Sequence, residues 1–202
     1  MDLSQVITQR RSVKQFDPDH QLSAEEFATL VGQAVLAPTS FNIQHWRFVR
    51  ISDPVLRANI CSAAWDQVQI VQASELLVIC ADTKAWEKSP ERYWHNTDAE
   101  TQALVVGMLT EFYQGREWLQ RDEAIRSGAF AAQNIMLTAK AMGYDSCPLI
   151  GFDQDEVAKL IHLPADHLVV MLLAIGKAAA EPAPRAGQLP MTELLVDNRF
   201  AS

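Results

Sequence analysis

Two stretches decide how this chain is read: Arg10-Arg11-Ser12-Val13-Lys14-Gln15-Phe16 and, beyond the next helix, Pro38-Thr39-Ser40-Phe41-Asn42-Ile43-Gln44-His45-Trp46. The first reads as extended. At a period of two, Arg10, Ser12 and Lys14 share one face while Arg11 and Val13 take the other. Three cations fall within five residues of a chain that carries 17 Lys and Arg against 25 Asp and Glu, a formal charge of -8. The run is either an anion site or a solvated basic turn. The second stretch offers hydroxyls and two carboxamides able to donate and accept, which suits the edge of a heterocycle as well as ordinary turn bonding.

Working outward, Leu3, Val6 and Ile7 give a short first helix over 3–9. Asp17-Pro18-Asp19 breaks the chain, and Ser23-Ala24-Glu25-Glu26 is a capping box opening a helix with Phe27, Leu30, Val31, Ala34 and Val35 on its apolar face, stopped by Pro38. A strand is expected over 46–51. Asp53-Pro54 then caps and starts a helix. Leu76 to Ala81 reads as a buried strand, 90–113 as one long helix with a buried aromatic surface, and 122–142 as an alanine-rich helix closed by Gly143. Extended chain over 144–150, a helix capped by Asp153, a central strand over 168–175 and a Pro/Ala-rich arm from Ala178 complete the pass. Helices outnumber strands and separate them unevenly, which implies an α+β fold with a small mixed sheet. No linker divides residues 1–177, so 1–202 is read as one domain with a C-terminal arm from about 178.

Composition removes several classes. A chain of 202 residues, 49% hydrophobic and 21% charged, can bury a core without disulfides. Cys61, Cys80 and Cys147 lack CxxC spacing and have no nearby His, so they read as buried structural thiols in a reducing compartment. His20, His45, His95, His162 and His167 show no metal-binding spacing, and no metal is expected. The acidic balance argues against nucleic acid, and the longest apolar run, 168–175, is too short for a membrane helix. Met1-Asp2-Leu3-Ser4-Gln5 has no basic or apolar signal character, so a cytoplasmic location is expected. The GxGxxG, GxxxxGK[ST] and GxSxG patterns are absent.

In their order and separation these blocks resemble the nitroreductase family of FMN enzymes. Arg10-Arg11-Ser12-Val13-Lys14 is similar to the family's Arg-x-Ser-x-Arg/Lys, and residues 38–46 are similar to its Pro-Ser-Ser-x-Asn-x-Gln-Pro-Trp loop. Pro148-Leu149-Ile150-Gly151-Phe152-Asp153 resembles its Pro-x-x-Gly-Phe-Asp turn, and Gly176 followed by Arg185 its C-terminal glycine and basic pair. The resemblance implies a homodimer with FMN at each of two interface sites and an arm reaching over the partner. Arg10 and Arg185 would hold the phosphate, with Arg11 in the same binding set. Ser12 and Lys14 would face the ribityl chain and pyrimidine edge, Lys14 as an electrostatic stabiliser of charge near N1 and O2. Pro38, Thr39, Ser40 and Asn42 would come from the other subunit. Gln69, with Gln67 next, would meet the pyrimidine, and the backbone of Pro148, Leu149, Ile150 and Gly151 would lie near flavin N5.

The activity so implied is transfer of two electrons from NADH or NADPH, through FMN, to a nitroaromatic, quinone or related conjugated small molecule by double displacement, with no obligatory catalytic side chain. A specialised relative that dehalogenates, oxidises or fragments its flavin, and a flavin-binding protein without turnover, are the alternatives. The family places its variable substrate lid where Trp94, Phe112, Tyr113 and Trp118 lie; core packing is the competing reading for each. Thr39 departs from the family's serine, His45 from its proline, and Ala183 from a lysine that often precedes Arg185, a loss Lys177 could compensate. The His45 ring is expected in solvent.

Overall fold

The computed structural model describes residues 1–200. Four strands form one sheet in the order β1-β2-β4-β3: β1 is Trp46–Arg50, β2 Glu75–Asp82, β3 Asp145–Leu149 and β4 His167–Gly176. Each neighbouring pair runs antiparallel, with a register shift between Ile79 and Cys80 where β2 meets β4. The parallel component is a single bridge, Ser12 to Ser146, supported by Val13 N–H donating to Ser146 O at 3.1 Å. That bridge lays the basic segment alongside β3.

The helices are α1 Leu3–Gln9, α2 Ala24–Ala34, α3 Pro54–Ala63, α4 Gln69–Gln72, α5 Ala99–Tyr113, α6 Glu117–Ala141, α7 Gln154–Leu160 and α8 Met191–Leu194. Local caps fix their starts. Ser23 and Glu26 exchange both bonds of a capping box, Asp53 accepts from Val55 and Leu56 N–H ahead of Pro54, and Asp153 accepts from Glu156 N–H. Gly143, at φ 87°, ends α6 in the left-handed conformation a C′ glycine supplies.

The residues of β2 are buried on both faces, so its sides divide the core. Leu76, Val78 and Cys80 face α3, α4 and α7 together with Val13, Phe16 and Cys147. Leu77 and Ile79 face α2 and α6 with Ile135 and with Ala131, Ala132 and Ala139, whose small side chains let the long helix lie close to the sheet. A third cluster, Ile43, Ala85, Trp86, Tyr93, Leu109, Tyr113 and Leu119, sits apart from both.

Two expectations need correction. The segment 90–113 is not one helix: Pro90–Trp94 is a short 3-10 turn, and Asp98 starts α5 afresh by accepting from Thr101 N–H at 2.8 Å. Its apolar surface is only partly buried, since Leu104 (64%), Met108 (53%) and Phe112 (40%) are exposed. Likewise α2 ends at Ala34 rather than at Pro38, and Val35 is exposed. No helix among the described residues is long and apolar enough to cross a membrane.

Candidate functional site

The end of α1 delivers Arg10, and the extended chain after it carries Arg11, Ser12, Lys14 and Gln15 along one wall of a groove of about 440 Å³. The opposite wall is the arm, Ala180 to Ala186 with Gln188. Val13 and Phe16 are buried and pin this segment to the core, which leaves Ser12, Lys14 and Gln15 exposed. Arg185 donates through Nη2 to the carbonyls of Thr8 (3.0 Å) and Arg10 (3.1 Å), and the Arg11 guanidinium donates to the Ala183 carbonyl. The structure therefore brings Arg10, Arg11, Ser12, Lys14 and Arg185 to one place. Lys177 is turned elsewhere, donating to Gly143 O at 3.3 Å.

Beyond Lys14 the site continues as a row of amides. Gln69 is 3% exposed, and its Nε2 donates to Gln67 Oε1 at 2.9 Å; Gln67 Nε2 in turn donates to Gly151 O at 2.7 Å. Burial pushes the Cys147 thiol up, against the pull of Lys14 and Gln69 beside it. Lys14, Gln67, Gln69 and Gly151 thus share one edge. A side chain this buried is not part of a solvated surface turn. In the Pro148–Asp153 turn Ile150 is 75% exposed, while Leu149 is 4% exposed and points into the core, so Leu149 can offer only backbone to a ligand. A Cβ at Gly151 would stand 3.3 Å from Trp65 Cζ3, tight enough to demand movement. Trp65 lies next to Gln67 in sequence and Cys147 next to the Pro148 turn, but only folding sets Trp65 against Gly151 and Cys147 beside Lys14 and Gln69.

Pro38, Thr39, Ser40 and Asn42 are not part of this groove. They form a separate rigid loop in which Phe41, Asn42 and Gln44 all take positive φ (51°, 56° and 53°). Asn42 Nδ2 donates to Tyr93 O at 3.0 Å, Trp94 Nε1 to Phe41 O at 3.1 Å, and Gln44 N–H to Thr39 Oγ1 at 3.1 Å. The Phe41 ring packs against Phe112 and Tyr113. Of the lid aromatics, Tyr113 is fully buried and Trp118 is 66% exposed. The expectation for His45 is overturned: the ring is 0% exposed, its Nδ1 lies 3.0 Å from Ser127 Oγ, and burial holds its pKa down to about 4.

The three thiols are free and buried; burial drives Cys80 up to about 12. Among the described residues Asp82, Asp166 and His167 form the one acid and histidine cluster tight enough for a metal ion. Its centre holds an ammonium instead, with Lys88 Nζ 2.8 Å from Asp82 Oδ2 and 2.5 Å from Asp166 Oδ2. Arg47 pairs with Asp82 at 3.3 Å. Lys88 is the main cause holding Asp166 at about 2. The cluster is a neutralised structural network, and a cation would have to displace the lysine.

Residues 7–177 match the sequence model of the Nitroreductase family. The chain is 51% identical over 200 residues to Protein DrgA of Synechocystis sp., covering 96% of this chain and 95% of that one. It is 34% identical over 195 residues to YodC of Bacillus subtilis, a protein provisionally named an NAD(P)H nitroreductase, covering 94% and 95%. A solved structure from Exiguobacterium sibiricum, assigned provisionally as a nitroreductase and in complex with FMN, superposes with a TM-score of 0.89 at 27% identity and 97% coverage of both chains.

Proposed function

Because the chain belongs to the nitroreductase family, we propose that it is an FMN-dependent oxidoreductase moving two electrons from NAD(P)H to a nitroaromatic, quinone or related conjugated acceptor. The observation that carries this reading is how the two parts meet: Lys14, in a groove also lined by Arg10, Arg11 and Arg185, lies with Gln69 beside Cys147, and Gln69 connects through Gln67 to Gly151. A monophosphate at one end and a hydrogen-bonding ring at the other is the ligand shape such a site fits. FMN, when bound, supplies the hydride chemistry.

The residues divide the work of binding. Arg10 and Arg11 provide planar guanidinium donors for the phosphate, with Arg185 beside them. Lys14 holds a fixed positive charge at the ring edge, which favours electron gain there. Ile150 and Gly151 N–H donate to no described group of the chain, so both are available to a ring nitrogen, and the absence of a side chain at Gly151 leaves room for the Trp65 ring. Pro38, Thr39, Ser40 and Asn42 line no part of the groove in one chain, which supports their reaching the site of a second copy. Exposed Leu3, Ile7, Leu104, Met108 and Phe130, and Leu189, Met191 and Leu194 on the arm, supply the apolar surface that a homodimer would cover.

With no separate nucleotide domain, NAD(P)H and acceptor take turns over the same face. The test is the visible spectrum of the purified protein, followed by anaerobic NADH or NADPH. One FMN per chain, bleached by a stoichiometric amount of either nucleotide, and parallel double-reciprocal plots are expected. A protein that takes up no FMN sinks the reading, and intersecting plots sink the double displacement. Flavin that neither nucleotide bleaches would favour binding without turnover.

A further inference from the structure

The turn carrying Gly151 is anchored from a distant loop. Trp65 and Asp66 both adopt left-handed backbone, φ 56° and 55°; Asp takes that region readily, whereas a side chain as bulky as Trp is held there only by its surroundings. Trp65 N–H donating to Ser62 O (3.1 Å) and Asp66 N–H to Cys61 O (3.0 Å) close this tight turn. Its effect is to aim Gln67 at the Gly151 carbonyl, 2.7 Å away, and to set the Trp65 ring against the position a Gly151 Cβ would take.

The hydrogen-bond chemistry then runs in one direction. A carbonyl only accepts, so Gln67 must present its nitrogen to Gly151 and its oxygen to Gln69; Gln69 must answer with its own nitrogen. That leaves the Gln69 oxygen, which accepts from no described group, to accept from whatever lies at the edge. On the backbone side, the Gly151 carbonyl and the Phe152 N–H belong to one trans peptide and point opposite ways. Phe152 N–H donates to Ile150 O at 3.2 Å, and the Ile150 carbonyl belongs to the same peptide as Gly151 N–H, which therefore points away from it. Asp153 N–H donating to Ala63 O at 2.9 Å fixes the far end. A glycine flanked by two peptides has little resistance of its own to rotation, so the orientation depends on these anchors.

We propose that Gln67 is a positioning residue rather than a ligand of the cofactor: through the Gly151 carbonyl it orients the Gly151 N–H toward the ring nitrogen, and through Gln69 it leaves an acceptor for the ring imide N–H. This rests on the FMN reading above. One side chain so placed couples the two edges of the flavin, and its loss alters both contacts without touching the phosphate end.

Gln67→Met keeps the length and removes both bonds; Gln67→Glu keeps the acceptor for Gln69 and loses the donor to Gly151. The readouts are FMN dissociation constant and flavin midpoint potential, with circular dichroism to confirm folding. Gln67→Met is expected to weaken FMN about five- to tenfold and to displace the potential. Gln67→Glu should be as weak at pH 8 and recover toward the unaltered protein at pH 5, because a protonated carboxyl can again donate to Gly151 O; Asp66 and Lys14, common to all variants, cancel in that comparison. Unchanged affinity and potential in Gln67→Met, or a Gln67→Glu defect that is flat with pH, overturns the proposal. If Gln67→Met does not fold, the pH response of Gln67→Glu decides. Failure of the unaltered protein to bind FMN removes both this and the parent reading, whereas tight FMN binding indifferent to Gln67 removes this one alone.

Discussion

Gly128 lies where α6 crosses β4, and a methyl group there would stand 2.7 Å from Val170 Cγ2 and 3.4 Å from both its Cβ and Cγ1. In an ordinary helix interior Gly→Ala gains about 1 kcal/mol through backbone entropy. Here the new carbon falls about 1 Å inside the usual ~3.5–4.0 Å contact distance. Val170 is β-branched and stiff at χ1, so the methyl 2.7 Å away is not a flexible chain end that turns aside at no cost. The 25-residue helix packs along its length and cannot shift locally. Overpacking of this kind costs about 2–3 kcal/mol, so the net effect of Gly128→Ala is a loss of about 1–2 kcal/mol. Gly32, within α2, has nothing within 4 Å of its notional Cβ, and Gly32→Ala should gain about 0.5–1 kcal/mol. Thermal midpoints measured at matched protein and FMN concentration should move in opposite directions, by about 2–4 °C per kcal/mol for a chain of this size. If both variants raise the midpoint alike, the helix is not seated on Val170 as described.

Arg10→Ala removes a charged donor from the phosphate end of the groove and should weaken FMN roughly ten- to a hundredfold by titration; unchanged affinity would take Arg10 out of the site. His45 is neutral when folded, with its pKa lowered to about 4 by burial, while the unfolded chain protonates near 6.5. Stability is therefore intact above about pH 6.5 and declines as pH falls toward 4, by about 3 kcal/mol in all, and urea midpoints for His45→Gln should lose that slope. If residues 38–42 complete a neighbour's site, FMN and dimerisation are linked, and sedimentation should show FMN tightening the dimer; a flavin-loaded monomer would refute the shared site.

Elements governed by local chemistry were legible in the sequence. The Asp53-Pro54 start of α3, the Ser23 capping box and the Gly143 stop all depend on residues within one turn of each other. The single helix expected over 90–113 failed because an apolar period was followed through Asp98, a competing cap that restarts the chain. Periodicity also placed Met108 and Phe112 inside, since it registers an apolar face without saying what covers it. The basic and turn motifs of the site could be read, but the Gln67 bond to Gly151 spans 84 residues and the His45 approach to Ser127 spans 82. Only the folded sheet creates such neighbours.

The cluster of Ile43, Trp86, Tyr93, Leu109 and Tyr113 shares no core with either face of the sheet. Its consequence concerns how such a protein diversifies. Substitutions there alter the shape presented by Phe41 and Phe112 while the packing that specifies the sheet, and the cationic groove attached to it, stays unperturbed. The packing of this cluster and the packing of the sheet are thus encoded in separable parts of the sequence. A library confined to 85–94 and 104–119 would remodel that surface at little risk to the sheet, and a chimaera carrying a relative's version of that segment would exchange it as a unit.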